Sequence, residues 1–198
     1  VLNTKTGVFR VYTTKAGDPT TLDRSSSYAI FKDREARIWV TSMSGVNLYN
    51  REEDNFTRIR DLGSWIMDID QDADGNIWFS SQGNGLFKYD PDKQEWTNYV
   101  HSNAPGALIN DQVNCVLIDG NGEMWIGTMN GLCKYNAKED QFELIPLDIP
   151  SSNICAIIED QRVLWLTTTK GLVRYAPGES CQVFTRSDGL QSEQFLVN

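Results

Sequence analysis

The chain is poor in the residues on which most enzyme and metal centres depend. It holds one histidine, His101, among 198 residues, so a site built on several histidines cannot form and a histidine-dependent nucleophile has a single candidate. Its four cysteines, Cys115, Cys133, Cys155 and Cys181, have no Cys-x-x-Cys spacing, which argues against a zinc site. We expect them to be mostly buried and unpaired, although their even number leaves a disulfide open. The sequence predicts no metal and no cofactor.

Positive charge and long apolar runs are scarce as well. Eighteen Lys and Arg residues face 27 Asp and Glu residues, giving a net charge of −9, and no basic cluster is longer than a few residues. Nucleic acid and anionic membranes are therefore disfavoured as partners. No apolar run approaches the ~20 residues of a membrane span, so a membrane contact is expected only through parts of a parent protein outside this chain. Hydrophobic residues still make up 40%, enough for a substantial core.

A fourfold repeat organises nearly the whole chain. In each copy an apolar residue precedes a tryptophan, and a Gly-hydrophobic-x-x-Tyr string follows a few residues later. The tryptophans are Trp39, Trp78, Trp125 and Trp165, and the strings occupy residues 45–49, 85–89, 131–135 and 171–175. The tyrosines that end the strings, at 49, 89, 135 and 175, are 40, 46 and 40 residues apart. A period of this size in short β-type segments predicts the blades of a β-propeller.

Each repeat reads as strand, hairpin, strand, glycine turn, strand, polar turn and strand, which is one four-stranded antiparallel blade. We therefore predict an all-β fold, a partial propeller over residues 1–198 with about four blades. The predicted blades are 28–60, 65–100, 113–147 and 154–186, with a stray N-terminal strand at 1–14 as the end of a preceding blade and 187–198 as a link to a following blade. The four repeated tryptophans are expected in the core between blades.

Two acidic features could be taken for sites. Residues 70–77 match the opening of an EF-hand calcium loop, but Ser81 stands where that loop needs a glutamate, and the equivalent hairpins at 33–37 and 119–123 lack the carboxylate series. A plain hairpin is the favoured interpretation. Asp68 replaces the small residues of the other innermost strands, so it is a possible ligand contact in the central channel, with a water-solvated side chain as the expectation.

Residues 72–90 and 119–135 resemble the repeat of the two-component regulator propeller family. The first reads Asp-x-Asp-Gly-Asn-Ile-Trp-Phe and then Gly-Leu-Phe-Lys-Tyr-Asp, and the second Asp-Gly-Asn-Gly-Glu-Met-Trp-Ile-Gly-Thr and then Gly-Leu-Cys-Lys-Tyr. Four copies cover about residues 28–186. The departures are Ser or Thr pairs in place of Gly-Thr in three copies, and a shortened hairpin at 160–163.

The resemblance implies a sensor. In that family such propellers form the periplasmic part of hybrid two-component histidine kinases and detect oligosaccharides, so the expected chain is a non-enzymatic, extracytoplasmic sensor segment whose ligand is an oligosaccharide. Two alternatives stay open, because propellers host many functions. One is a propeller enzyme such as a lyase or a glycoside-acting protein, and the other is a pure protein-interaction scaffold.

Ligands of propellers usually meet the face formed by the loops between blades and by the glycine turns. The polar and aromatic residues predicted on that face, suited to sugar hydroxyls and rings, are Trp65, Gln82, Asn84, His101, Asn103, Asn110, Asn130 and Lys170. A piece with uncovered blades at its ends should also leave apolar faces exposed. We therefore expect a homo-oligomer, a dimer in the simplest case, held through its terminal blades.

Overall fold

The described chain is built almost entirely of β-strands. The computed structural model describes residues 1–24 and 26–197, and over these residues it forms sixteen strands and one 3-10 turn at Arg186–Asp188. The strands are β1 Ser27–Lys32, β2 Ile38–Ser42, β3 Gly45–Asn50, β4 Asn55–Asp61, β5 Ile66–Gln71, β6 Ile77–Ser81, β7 Leu86–Asp90, β8 Glu95–Tyr99, β9 Val113–Ile118, β10 Met124–Thr128, β11 Gly131–Asn136, β12 Gln141–Ile145, β13 Ile154–Asp160, β14 Val163–Thr168, β15 Gly171–Tyr175 and β16 Gln182–Phe184.

These strands form four antiparallel four-stranded sheets, each made of consecutive strands. Blade 1 is β1–β4, blade 2 is β5–β8, blade 3 is β9–β12 and blade 4 is β13–β16, and contacts between neighbouring blades run mainly through the innermost strands β1, β5, β9 and β13. The prediction of about four propeller blades is confirmed. Up-and-down strand order places the connections between blades and the turns after each second strand at one end, called here the loop face. The opposite end is the hairpin face.

The repeated glycine is required by close approach as well as by the turn. Gly85 has a positive φ of 77°, and a Cβ at this position would collide with the carbonyl oxygen of Tyr99 on the neighbouring strand. Only a residue without a side chain fits both conditions at no steric cost. The glycine that opens the string in blade 2 is therefore a steric requirement of that blade.

Three apolar layers lie between successive sheets. Trp39 of blade 1 packs edge-on against Phe79 and Tyr89 of blade 2, and Trp78 of blade 2 packs against Tyr99 and Tyr135. Trp39, Trp78 and Trp125 are all at most 1% exposed, as predicted. The prediction is wrong for Trp165, which is only partly buried. Its ring stacks on Phe184 of the same sheet, because no further blade of the described chain covers that side.

An aspartate fixes each of the first three hairpins to its tryptophan. Asp33, Asp72 and Asp119 each accept a hydrogen bond from the indole Nε1–H six residues later, at 2.8, 2.8 and 3.0 Å. Asp72 also accepts the backbone N–H groups of Asp74 and Asn76. The second carboxylate of the calcium-like series, Asp72, therefore closes the hairpin in the same way as its counterparts in blades 1 and 3.

The N-terminal segment lies against blade 1. In place of a full stray strand, residues 1–10 form a hairpin with one isolated bridge, Leu2 to Phe9, since no neighbouring sheet extends its hydrogen-bond ladder. Tyr12 then packs against Tyr49 and Phe56 and donates a hydrogen bond to Asp54. An equivalent cluster joins blades 2 and 3, where Tyr99 and Tyr135 both donate to Asp140 and Tyr99 packs against Phe142. Tyr12 thus lies against blade 1 as Tyr99, the last residue of β8, lies against blade 3.

The C-terminal tail runs past the β14–β15 turn as the β8–β9 connection runs past the β6–β7 turn. The carbonyl of Glu193 accepts the N–H of Gly171 at 2.7 Å, as the carbonyl of Asp111 accepts the N–H of Gly85 at 2.9 Å before β9. Phe195 continues this path, because its N–H donates to the carbonyl of Thr168. Asn198, the last residue of the predicted link, lies outside the described residues.

All four cysteines are free, and Cys115, Cys133 and Cys155 are buried while Cys181 is partly buried. The expectation of unpaired, mostly buried thiols is confirmed. Burial raises the pKa of the Cys133 thiol to about 11, so this group stays protonated and unreactive at neutral pH.

Candidate functional site

The predicted ligand residues all lie on the loop face, in the turns after the second strands or in the connections between blades. Hydrogen bonds link five of them through shared backbone segments. Gln82 donates its backbone N–H to the carbonyl of Trp65 at 2.9 Å, and Asn84 donates its side-chain amide to the carbonyl of Leu62 at 3.0 Å. Both contacts tie the β6–β7 turn to the connection between blades 1 and 2.

Asp111 connects the next part of this patch. Its carboxylate accepts the backbone N–H of His101 at 2.6 Å, and its carbonyl accepts the N–H groups of Gly83 and Gly85 on either side of Asn84. Asn110 precedes it and caps the same loop by accepting the N–H of Gln112. The ring Nδ1 of His101 lies 2.9 Å from the carbonyl oxygen of Leu108, so this histidine is held by its own loop.

Three predicted residues are separate from this patch. Asn103 is exposed within the β8–β9 connection, and no contact among the described residues joins it to the others. Asn130 and Lys170 are exposed at the equivalent turns of blades 3 and 4, and the backbone N–H of each donates to the threonine two residues earlier. The eight residues thus share a face but do not converge on a single pocket.

Two aromatic side chains, Trp65 and Tyr28, stack on each other at the loop face. The indole of Trp65, 48% exposed, lies nearly parallel to the ring of Tyr28, with centroids 5.9 Å apart and planes 18° apart. The sequence does not predict a role for Tyr28, because its position beside Trp65 depends on how the first strands of blades 1 and 2 pack. The one sequence feature that could have indicated Tyr28 is its place at the start of β1, the innermost strand of blade 1.

A polar network runs below the pair along the inner ends of three blades. The amide of Gln82 donates to Asn114 at 2.7 Å, and the amide of Asn114 donates to the side chain of Asn153 at 2.8 Å and to the carbonyl of Ile154 at 2.7 Å. Asn114 is buried and Gln82 is half-buried. Gln82, a predicted ligand residue, therefore has its amide N–H engaged within the protein.

Asp68 is half-buried and both of its carboxylate oxygens are hydrogen-bonded to the protein, whereas a water-solvated side chain was expected. One carboxylate oxygen accepts the N–H of Ile69 on its own strand at 2.9 Å, and the other accepts the N–H of Val116 on β9 at 3.2 Å. Asp70, two residues on, repeats the pattern with Gln71 at 2.7 Å and Ile118 at 2.6 Å. These two carboxylates, called here the carboxylate ladder, join the inner strands of blades 2 and 3.

Burial dominates the electrostatics of the ladder. It raises the pKa of Asp68 to about 6, against the opposing effect of the two backbone hydrogen bonds, and it also raises the pKa of Asp70. The neighbouring inner strands carry Ala, Cys or larger apolar residues at both positions, so the ladder is peculiar to blade 2. Asp68 also borders a cavity of about 270 Å³ at the axis, together with Tyr28, Met67, Asn114 and Cys155.

Among residues 1–24 and 26–197, no group of three or more His, Cys, Asp or Glu side chains is arranged to hold a metal ion. The same residues contain no helix long and apolar enough to span a membrane.

Two comparisons with known proteins support the propeller architecture: a family model matches one repeat, and solved structures share the overall fold. The family model described as two component regulator propeller matches residues 107–130, which run from the β8–β9 connection through the β9–β10 hairpin into the turn after β10. Residues 107–130 are thus similar to one repeat of that family. No curated protein matches the chain.

Solved structures with this fold include extracellular domains of two component systems. One, from a hybrid two component system of B. thetaiotaomicron, aligns with a TM-score of 0.79 at 23% identity, covering 98% of this chain and 26% of that one. Another hybrid-system domain from the same organism gives a TM-score of 0.59 at 19% identity, with coverages of 94% and 30%. A streptogramin B lyase gives 0.61 at 16% identity, with coverages of 85% and 56%. The chain thus spans about a quarter of the first relative, at 26%, and these identities show the fold alone.

Proposed function

We propose that this chain is part of the periplasmic sensor propeller of a two component system, that it has no catalytic activity of its own, and that its loop face binds an oligosaccharide. The observation that carries the sensor assignment is the regulator propeller repeat at 107–130 within a fold shared with extracellular domains of such systems. In this proposal the signalling output belongs to a histidine kinase in the parent protein.

The Tyr28–Trp65 pair supports the choice of ligand. A half-exposed indole backed by a parallel phenol offers a flat apolar surface, which suits the face of a sugar ring. The carbonyl of Trp65 is fixed by Gln82, so the connection that carries the indole is anchored to the next turn. An anchored aromatic platform loses little conformational freedom on binding.

The test is a calorimetric titration of the chain with a panel of neutral and acidic oligosaccharides. If Trp65 is the platform, Trp65→Ala should weaken binding about tenfold or more, because stacking and burial of a large ring are lost. Trp65→Phe keeps an aromatic face and should bind within a few-fold of the unaltered chain. Equal binding by Trp65→Ala, or the absence of binding to every oligosaccharide, would contradict the proposal.

A propeller enzyme is the second candidate, because one specific observation favours it. Asp68 has a raised pKa beside an axial cavity, as acid–base groups in active sites often do. Against this, both of its oxygens already accept backbone hydrogen bonds. Chromatography of the titrated oligosaccharides after prolonged incubation separates the two, since an enzyme would leave cleaved or modified sugar and a sensor would leave it intact.

A further inference from the structure

We propose that a groove beside blade 1 binds the anionic group of an acidic oligosaccharide. The groove, called here the arginine groove, has a volume of about 540 Å³ and is lined by Arg24, Arg58, Arg60, Asp23 and Asp61. Asp23 and Asp61 lie at the loop-face ends of their segments, so the groove opens on the face assigned above to the ligand. The inference therefore rests on the proposed function and narrows its ligand class.

Two of the arginines are held in place by the protein. The guanidinium of Arg58 donates to the carbonyl oxygens of Asp18 at 3.0 Å and Thr21 at 3.2 Å. The guanidinium of Arg60 lies over the ring of Trp96, 5.2 Å from its centroid. Cations fixed in this way are organised for an anion before it arrives, so less freedom is lost when it binds.

The arginines are not neutralised by their acidic neighbours. Among the described residues, no carboxylate lies within 4.0 Å of the guanidinium nitrogens of Arg24, Arg58 or Arg60. Asp61 instead accepts the N–H of Gly63 at 2.8 Å. In a chain whose net charge is −9, three arginines and two engaged acids around one groove form a local excess of positive charge.

Among the described residues, the remaining acid belongs to a polar network that the other three blades do not repeat. Asp23 accepts hydrogen bonds from Ser42 at 2.7 Å, Ser44 at 2.8 Å and the amide of Asn47 at 2.7 Å. Although burial opposes its ionisation, these hydrogen bonds lower the pKa of Asp23. Asn47 is fully buried, whereas the other blades place Phe87, Cys133 and Val173 at this point of the repeat. Blade 1 thus departs from the apolar repeat pattern at the wall of the groove.

Guanidinium groups select the chemistry of the ligand. They pair with planar or tetrahedral oxyanions through charge-assisted hydrogen bonds, as carboxylates and sulfates provide. The groove volume lies within the range of small-molecule sites and suits one or two sugar rings. The inferred ligand is therefore an oligosaccharide that carries a uronate carboxylate or a sulfate ester.

The experiment titrates the 198-residue chain with three tetrasaccharides: an oligogalacturonide, a sulfated heparin-type fragment and neutral cellotetraose. We expect at least one acidic probe to bind about tenfold or more tightly than the neutral one, and to weaken as NaCl rises from about 50 to 300 mM. Arg60→Gln and Arg24→Gln should each reduce its affinity about tenfold. Lys138→Gln removes the same charge from an exposed turn on the hairpin face and should have no effect. The tighter acidic probe identifies the anionic group.

The outcomes separate this inference from the proposed function. Equal binding of neutral and acidic probes, with both arginine variants unaffected and Trp65→Ala impaired, overturns the groove and leaves the sensor proposal standing. Binding of an acidic probe that depends on the arginines but not on Trp65 supports the groove and removes the aromatic platform. Failure of all three probes to bind contradicts the groove. Arg24→Gln guards against a folding artefact, because the described structure gives that side chain no hydrogen bond or ion pair.

Discussion

At the scale of single residues, the aspartate six positions before the tryptophan links two parts of the blade. It closes the hairpin through backbone N–H groups and also accepts the indole N–H of a buried ring, which would otherwise be an unsatisfied buried donor. In blade 4 the spacing falls to five residues, Trp165 is only partly buried, and no hydrogen bond joins Asp160 to it within the described chain. The spacing of the repeat is therefore a hydrogen-bond requirement.

This difference predicts unequal mutational costs. Asp119→Ala should lower the free energy of unfolding by about 2 kcal/mol or more, because it leaves the Trp125 indole N–H without its acceptor and removes two hydrogen bonds of the turn. Asp160→Ala, the same change in the fourth copy, should stay within about 0.5 kcal/mol. Urea unfolding monitored by fluorescence measures both, and similar losses in the two variants would contradict this role.

The sequence predicted the three buried tryptophans because the repeat puts the same ring at the same point of each blade. It could not predict the exposure of Trp165, since burial of that ring depends on a neighbour and not on the residue itself. The network around Asp23 was missed for a related reason. Asp23 lies outside the repeat, and its partners are brought to it only by the fold.

At the scale of elements, the carboxylate ladder shows how two inner strands are joined. The strands β5 and β9 lie side by side without pairing as a ladder of their own, and four of their backbone N–H groups donate to Asp68 and Asp70. Strand and hairpin positions followed from residue pattern and turn chemistry. The carboxylate ladder could not be predicted in this way. The pairing of each carboxylate with an N–H group of β9 depends on how blades 2 and 3 are positioned relative to each other along the propeller axis.

The raised pKa of Asp68 gives a signed pH dependence. Since the folded value of about 6 exceeds the unfolded value near 3.8, the folded chain binds more protons in this window, and the contribution of Asp68 to stability falls as pH rises from about 4 to 6. Asp70 has the same sign, and its charge further raises the pKa of Asp68, while burial raises the pKa of the adjacent Cys115 thiol and keeps that thiol neutral in this range. In Asp68→Asn this contribution should be absent.

Chemical unfolding between pH 4 and 7 measures the effect. Relative to Asp68→Asn, the unaltered chain should gain stability as the pH falls from 7 to 4, by a difference on the order of 1–3 kcal/mol. Asp92→Asn, an exposed carboxylate in the β7–β8 turn, is the matched control and should show no such slope. Parallel pH profiles for the unaltered chain and Asp68→Asn would contradict the ladder's raised pKa.

At the scale of the whole molecule, the two terminal blades expose matching parts of the propeller interface. Ile30 on the outer side of blade 1 is 74% exposed, whereas its counterparts Ile69 and Val116 are 5% and 4% exposed inside the interfaces of blades 2 and 3. Ile158 on the far side of blade 4 is 63% exposed. The N-terminal segment covers only the outer part of the first face, through Tyr12 and the buried Leu22.

The outer face of blade 1 and the far face of blade 4 should fit each other, because the equivalent faces of neighbouring blades pack together inside the fold. We therefore expect two copies to associate with blade 1 of each against blade 4 of the other, which closes a ring and buries both isoleucines. Sedimentation velocity should give a dimer at micromolar concentration. Ile158→Lys should shift it to monomer by placing a charge in the contact, whereas Met129→Lys, at an exposed loop-face position, should leave the dimer intact. A chain that sediments as a monomer at every concentration, or a dimer that Met129→Lys disrupts and Ile158→Lys does not, would rule out this arrangement.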